Sequence, residues 1–529
     1  MHHRPFLFAC VVTGLLAAAG CSNLSGSLGS PVPKSVDDAI AQITSKPAYT
    51  HSRWGIVVVD PSTGEKLIDR EGAGMFVPGS IMKVYSTTAA LKAFGPDYRF
   101  RTPVYATSVP RGGILAGHLI LVASGDFSFG LREQSNGTLA FNNFPEIDHN
   151  YGDVGLAGPA LLKNSDPLSV FNQLARQVRA AGISTIIGDV AIDDRLFNNY
   201  DGWPNGVMAP IWINENVVDI TAAPSSVGQA AVVDWRPKIG TMRLASDVMT
   251  VANAAQAKPL SVKADANGTL HVSGAVAAGA KPSLTIWYIQ KPADFARIAF
   301  MEALRRAGVT ITAFASGSNP THILPKDYRR ARMVAEHVSP PLSEFVKVIL
   351  KVSYNRGADL MVCLLAVKSG SRDCADGLGP ELKTIKNLGV SPESTIVFEG
   401  AGTGDMIRTS PADEAAVLRS LLGVPWGKYV HDGMSIMGVD GTQAENQAGT
   451  PVAGHIRAKD GTQIAASPSG QVYISAKTEV GYIDAKSGKQ LIYGVFVNDV
   501  PIGQQGMMET FSGVDRDLST IAAAIQQGY

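Results

Sequence analysis

Ser80 and Lys83 stand three residues apart in Ser80-Ile81-Met82-Lys83. On a helix, residues i and i+3 share a face, so this hydroxyl and amine can lie side by side. A serine hydroxyl is a weak nucleophile until a neighbouring base takes its proton. A lysine can be that base when burial and nearby positive charge leave its amine neutral. A helix N-terminus at the same place would favour developing negative charge. The spacing alone is common on solvated helix faces, so its meaning depends on other residues. A second feature is the stretch RAKDGTQIAASPSGQVYISAKTEVG at 457–481. Lys459-Asp460-Gly461 and Lys477-Thr478-Glu479 each carry part of a Lys-Thr-Gly pattern, the first its glycine and the second its threonine.

Other chemistries lack their residues. There is no Gly-x-Ser-x-Gly elbow, no His-Glu-x-x-His pair and no phosphate loop ending Gly-Lys-Ser/Thr. Ten histidines are scattered through the chain, so no metal site is expected. The GAGTG of 400–404 has the wrong glycine spacing for a nucleotide fingerprint, and DMIRTSP separates it from the next helix, so it reads as a flexible loop. Lys+Arg and Asp+Glu balance at 46 each, which leaves no electrostatic footprint for nucleic acid. With 529 residues, 45% hydrophobic and 17% charged, the chain reads as globular, with length for two to four domains.

The candidate residues need elements to position them. WGIVVVD, Pro61-Ser62-Thr63-Gly64 and KLIDR read as strand, turn and strand. Apolar residues at 81, 84, 85, 88 and 91 give a helical face that Gly95-Pro96 ends, which puts Ser80 at a helix start. Residues 106–324 hold short strand candidates, a hairpin signal at Asn267-Gly268, and helices near 168–180 and 292–307. Two further helices, SEFVKVILKV and ADLMVCLLAV, flank a break at SYNRG. Three strand candidates follow (QVYISAK, VGYIDAK, QLIYGVFVND), then a terminal helix, DLSTIAAAIQQG. The pattern predicts an α+β fold.

At the N-terminus, Arg4, the apolar run 6–19 and the small residues before Cys21 form a processing signal too short to span a membrane permanently. Ala18-Ala19-Gly20-Cys21 resembles the bacterial lipobox, which implies a signal peptide at 1–20 and lipidation of Cys21. An ordinary cleaved signal peptide is the alternative. Residues 21–35 read as a flexible tether. Of the remaining cysteines, Cys363 and Cys374 could pair in an oxidising compartment, or Cys363 could be a buried thiol in an apolar run.

The flanks of Ser80 decide between these readings. FVPGSIMKVYSTTAALKAFGPDYRFRT resembles the nucleophile region of the D-alanyl-D-alanine carboxypeptidase/endopeptidase family of penicillin-binding enzymes. Ser353-Tyr354-Asn355 matches the second motif of that family, and MGVDGTQAENQAGTPVAGHIRAKDGT matches the approach to the third. The segments SGDFSFG, ISTIIGDVAIDDRLF and WINENVVDI are also similar to it. The resemblance implies a β-lactamase/transpeptidase-like core, an antiparallel sheet flanked by helices, formed by residues 36–105 and 325–529. A large β-rich insert of one or two non-catalytic domains then occupies 106–324.

The resemblance also assigns roles. Ser80 is the nucleophile and Lys83 its base, Ser353 and Asn355 relay a proton and orient substrate, and Lys459 supplies positive charge for a substrate carboxylate. Asp460, Gly461 and Thr462 border the substrate, the glycine leaving room for its backbone. No metal or organic cofactor is needed. The partners implied are peptidoglycan peptides and β-lactams, and the location is the periplasm, with a lipid anchor at Cys21. Two departures stand out: Asp460 replaces a threonine, and Glu399-Gly400-Ala401-Gly402-Thr403-Gly404 replaces a usual Asp-Gly-Ser-Gly-Leu-Ser. They leave open a catalytically impaired wall-peptide-binding homologue, and a β-lactamase or esterase as a further alternative. Lys477-Thr478-Glu479 reads as a decoy in the following strand.

Overall fold

Arg53–Val59 (RWGIVVV) forms a strand that pairs antiparallel with Lys66–Arg70 through the turn the Pro-Ser-Thr-Gly run marks. This computed structural model describes residues 35–149, 160–163, 165–200, 206–266, 268–504 and 506–529. The signal peptide, Cys21 and all of the tether except Ser35 lie outside the described residues. Six strands make the central antiparallel sheet, in the order Ser435–Ile436, Ile456–Ala466, Val472–Asp484, Gln490–Pro501, Arg53–Val59, Lys66–Arg70.

Alternation of side chains across each strand sends them to two cores. Val57, Val59, Ile492 and Phe496 join Ile81, Met82 and residues of the helices Leu342–Lys351, Asn355–Lys368 and Pro411–Leu422. Ile56, Val58, Leu491 and Tyr493 join the helices Val36–Thr44 and Met507–Gly528. A sheet covered on both faces needs apolar residues at odd and even positions alike. That is why WGIVVV and LIYGVFV are continuous runs rather than alternating ones. The architecture is α+β, an antiparallel sheet flanked by helices.

QVYISAK and VGYIDAK, expected as two strands, are one strand, Val472–Asp484. The charged Glu479 is buried inside the strand and accepts from Tyr493 Oη and Gln443 Nε2 at 2.5 and 3.1 Å. Hydrogen bonds to its carboxyl replace those it would have with water. Cys363 and Cys374 form a disulfide between the helix Asn355–Lys368 and the turn Cys374–Gly377.

The chain divides into two compact units. One is Val218–Trp287, where Thr269–Ala277 pairs antiparallel with Lys258–Ala264 and in parallel with Arg243–Ser246 and Met249–Val251. Gly268 closes that hairpin with φ +80°, and Asn267 beside it lies outside the described residues. The rest of 106–324 groups with the larger unit, including strands that extend a sheet through Arg99–Ala106 and Arg332–Pro341. No helix of the described residues is long and apolar enough to cross a membrane.

Candidate active site

Gly79–Met82 is a single 3-10 turn that runs directly into the helix Lys83–Phe94. The turn brings Ser80 and Lys83 together: Lys83 Nζ donates to Ser80 Oγ at 2.7 Å and to the Ala401 carbonyl at 2.9 Å. Lys83 is fully buried. The helix differs from the one-sided face expected of it, because every residue from Lys83 to Leu91 is buried. Its polar residues are satisfied inside: Ser86 Oγ donates to Gly400 O at 3.0 Å and Thr87 Oγ1 to Lys83 O at 2.6 Å. Gly95, at φ +82°, ends it.

The strand Ile456–Ala466 lies against this turn. A Cβ on Gly461 would stand 2.4 Å from Pro78 O and 2.9 Å from Ser80 N, and one on Gly79 would stand 2.9 Å from Thr462 N. Gly461 is therefore required by the Ser80 turn itself, a nearer reason than room for a substrate. Both glycines let two backbones touch, so the N–H groups of Ser80 and Thr462 fall on one seam. Thr478, paired with Gly461 across the sheet, donates to Pro78 O at 2.5 Å and pins the same turn. Lys477, paired with Thr462, donates to Thr462 Oγ1 at 3.1 Å. The supposed decoy is thus part of the site's support. Sequence reasoning missed it because cross-strand register depends on the hairpin between the strands, which here includes an irregularity at Gln463/Ile464.

Lys459 is fully buried and donates to Asp460 O at 2.5 Å and Asp460 Oδ1 at 3.2 Å. Asp460 also accepts from Thr442 Oγ1 at 2.6 Å and lies 3.7 Å from Lys477 Nζ, which is itself paired with Asp515 at 2.7 Å. Burial works to raise the Asp460 pKa, but the charges of Lys459 and Lys477 and the Thr442 hydrogen bond hold it below the usual carboxylate range. The substituted residue is an anion turned inward onto the lysines.

Ser353 and Asn355 sit where the helices Leu342–Lys351 and Asn355–Lys368 meet. Ser353 is buried with φ +56°, a left-handed conformation that costs a serine on the order of 1–2 kcal/mol and ends the first helix. Asn355 Oδ1 is a buried acceptor without a hydrogen-bond partner among the described residues. Arg356 anchors the second helix by donating to the carbonyls of Val207 and Glu215 at 2.7 and 2.6 Å, next to the WINENVVDI segment. A polar relay joins this corner to the Lys459 strand. Lys351 Nζ binds both Asp440 oxygens at 2.7 Å, Lys351 O accepts from Ser435 Oγ at 3.1 Å, and Ser435 Oγ meets Thr442 Oγ1 at 3.2 Å.

The GAGTG segment is not the flexible loop its composition suggested. Gly400 and Ala401 are buried, and Glu399 accepts from Ala401 N at 2.8 Å and Thr403 N at 2.6 Å. Asp359 Oδ1 accepts from Gly400 N at 3.0 Å. Gly402, at φ +85°, passes so close to the Ser80 turn that a Cβ would stand 2.0 Å from Gly79 O. These glycines are there for close packing rather than mobility.

Residues 36–518 match the model of the D-Ala-D-Ala carboxypeptidase 3 (S13) family. The chain belongs to that family. It is 26% identical over 478 residues to a D-alanyl-D-alanine carboxypeptidase of an Actinomadura species, covering 85% of this chain and 80% of the relative. It is 22% identical over 445 residues to the D-alanyl-D-alanine carboxypeptidase DacB of Haemophilus influenzae, covering 82% of this chain and 83% of the relative. The crystal structure of penicillin-binding protein 4 from Haemophilus influenzae superposes with a TM-score of 0.66 at 19% identity, over 90% of this chain and 98% of that one. A structure of the same protein in complex with a β-lactam gives a TM-score of 0.64. The S13 member described here therefore has the fold of penicillin-binding protein 4 and is a peptidase of the D-Ala-D-Ala carboxypeptidase class.

Proposed function

We propose that this peptidase works by serine acyl transfer on peptidoglycan stem peptides, cleaving D-Ala-D-Ala or a related D-centred cross-link, and that β-lactams acylate the same serine. The observation that carries the reading is Lys83 Nζ, buried and 2.7 Å from Ser80 Oγ. Ser80 Oγ attacks the scissile carbonyl while its proton passes to Lys83. The tetrahedral oxyanion lies between the N–H groups of Ser80 and Thr462, each worth roughly 3–4 kcal/mol to the transition state. Collapse expels the amine, protonated through Ser353, and water then resolves the acyl-enzyme. Asn355 Oδ1, without a partner among the described residues, accepts a substrate amide N–H. Lys459 holds the substrate carboxylate in the company of Lys477.

The test is a fluorescent penicillin. A covalent adduct forms on the wild type and is lost in Ser80→Ala, and an unlabelled wild type at saturating drug would sink the mechanism. The ionised Asp460 favours one second reading, a homologue that holds wall peptides without turning them over; peptide binding to sacculi with no D-alanine release would select it. Residues 36–105 and 325–529 carry the chemistry in this proposal, and 106–324 is the insert. The enzyme works in the periplasm, tethered by a lipid on Cys21, which metabolic labelling with a fatty acid and its loss in Cys21→Ala would test.

A further inference from the structure

Around the carbonyl that holds Lys83, the chain places carboxylates one layer back. Three backbone N–H groups of the 399–403 segment are taken by two acids: Gly400 N by Asp359, and Ala401 N and Thr403 N by Glu399. With those N–H groups held, the carbonyls of Gly400 and Ala401 face the nucleophile helix, where Ser86 Oγ and Lys83 Nζ donate to them at 3.0 and 2.9 Å. The segment cannot shift sideways, because a Cβ on Gly400 would already stand 2.6 Å from Ala358 O. Asp359 Oδ2 is buried and receives no hydrogen bond from a donor among the described residues, and Glu399 stands within hydrogen-bonding reach of the Asp359 carboxyl. Two buried carboxylates facing each other cannot both be ionised at small cost, whereas one proton between them turns the repulsion into a hydrogen bond.

We propose that Asp359 and Glu399 form an acid–carboxylate pair, with the shared proton on Asp359, that positions the Ala401 carbonyl against Lys83 and so aims the base at Ser80. They are positioning residues of the acyl-transfer reaction proposed above, on which this inference rests. Burial first, then Glu399, push the Asp359 carboxyl well above its ordinary range, and Lys83 opposes them. Glu381 faces the pair from the helix Leu378–Lys386; burial pushes it well up too, so it adds no charge. A cavity of about 110 Å³ lined by Asp359, Glu399, Phe398 and the disulfide is large enough for water, through which the proton equilibrates.

The assignment predicts an asymmetry between two isosteric substitutions. Asp359→Asn keeps an acceptor for Gly400 N–H and replaces the acid proton with an amide donor. Its penicillin acylation rate stays within about threefold of wild type. Glu399→Gln strips one of two backbone N–H groups of its acceptor and removes the negative charge, and acylation falls about 100-fold, the cost of a misplaced catalytic group. The acidic limb of its pH–acylation profile also moves to lower pH, since Lys83 loses a neighbouring anion. Loss in Asp359→Asn equal to that in Glu399→Gln overturns the proton assignment, and an unshifted profile in Glu399→Gln reduces the pair to structural filling. If Glu399→Gln does not fold, Asp359→Ala against Asp359→Asn decides: about a 100-fold gap supports the pair and equal rates refute it. Labelling of the wild type, measured alongside, reports separately on the acyl-transfer reading.

Discussion

The two active-site lysines meet acid in opposite ways. Lys83 donates to a hydroxyl and to a carbonyl, the carbonyl belonging to a segment whose N–H groups Asp359 and Glu399 hold. Lys459 is touched directly by Asp460, which its charge and that of Lys477 keep ionised. Direct contact with an anion stabilises an ammonium, so a lysine that must accept a proton is better served by neutral dipoles and one that must remain charged by a carboxylate. Under the proposed mechanism the contrast separates a base from an electrostatic anchor among residues of one type, both fully buried.

Substitutions can break that contrast. Lys83→Ala should lower penicillin acylation about 100- to 10,000-fold and remove the pH dependence of the step, as loss of a general base does. Lys459→Ala should cost about 10- to 100-fold, the worth of one charge-assisted hydrogen bond, and leave the shape of the pH profile intact. Equal losses with equal pH profiles, measured by stopped-flow, would erase the distinction. Asp460→Asn should raise acylation at low drug concentration by about 3- to 10-fold, since it removes a charge opposing the substrate carboxylate. Its melting temperature should fall, because Lys459 and Lys477 lose their shared counter-ion; a slower enzyme would instead make Asp460 part of the machinery.

The smallest effect concerns stability. Burial, with Asp515 and Asp460 nearby, pushes Glu479 up to about 7 from 4.5. Its folded pKa exceeds its unfolded one, so the folded state holds the proton more tightly, and stability declines as pH rises from about 4.5 to about 7. Glu479→Gln should abolish this contribution and gain on wild type in denaturant melts at pH 8 relative to pH 5. A constant difference across that range would show that Glu479 titrates normally.

How far the sequence could be read depended on whether a feature was local. The 3-10 turn that brings Lys83 onto Ser80 spans four residues, and the helix end before Ser353 is marked by its own break, so both were legible. Lys477 and Thr478 were not, because their place opposite Thr462 and Gly461 follows from the register of an eleven-residue and a thirteen-residue strand. Glu399 reads as a departure from the family's aspartate, but its bonds to Ala401 N and Thr403 N were not legible, and the GAGTG run gave no sign that Ala358 and Gly79 would crowd it. Composition can tell that glycine is permissive; only neighbours far along the chain tell whether that freedom serves motion or close packing.

By itself, the sequence determined that Ser80 and Lys83 stand side by side, the α+β class and the motifs that point to the family, because these rest on spacing within a turn or periodicity within an element. Tertiary structure alone decided that Asp460 is an inward anion, that Gly461 makes room for the Ser80 turn, and that Asp359 and Glu399 hold the segment whose carbonyl meets Lys83. Each depends on groups brought together from distant parts of the chain, where burial and charge at a few ångströms set the protonation state and the fit.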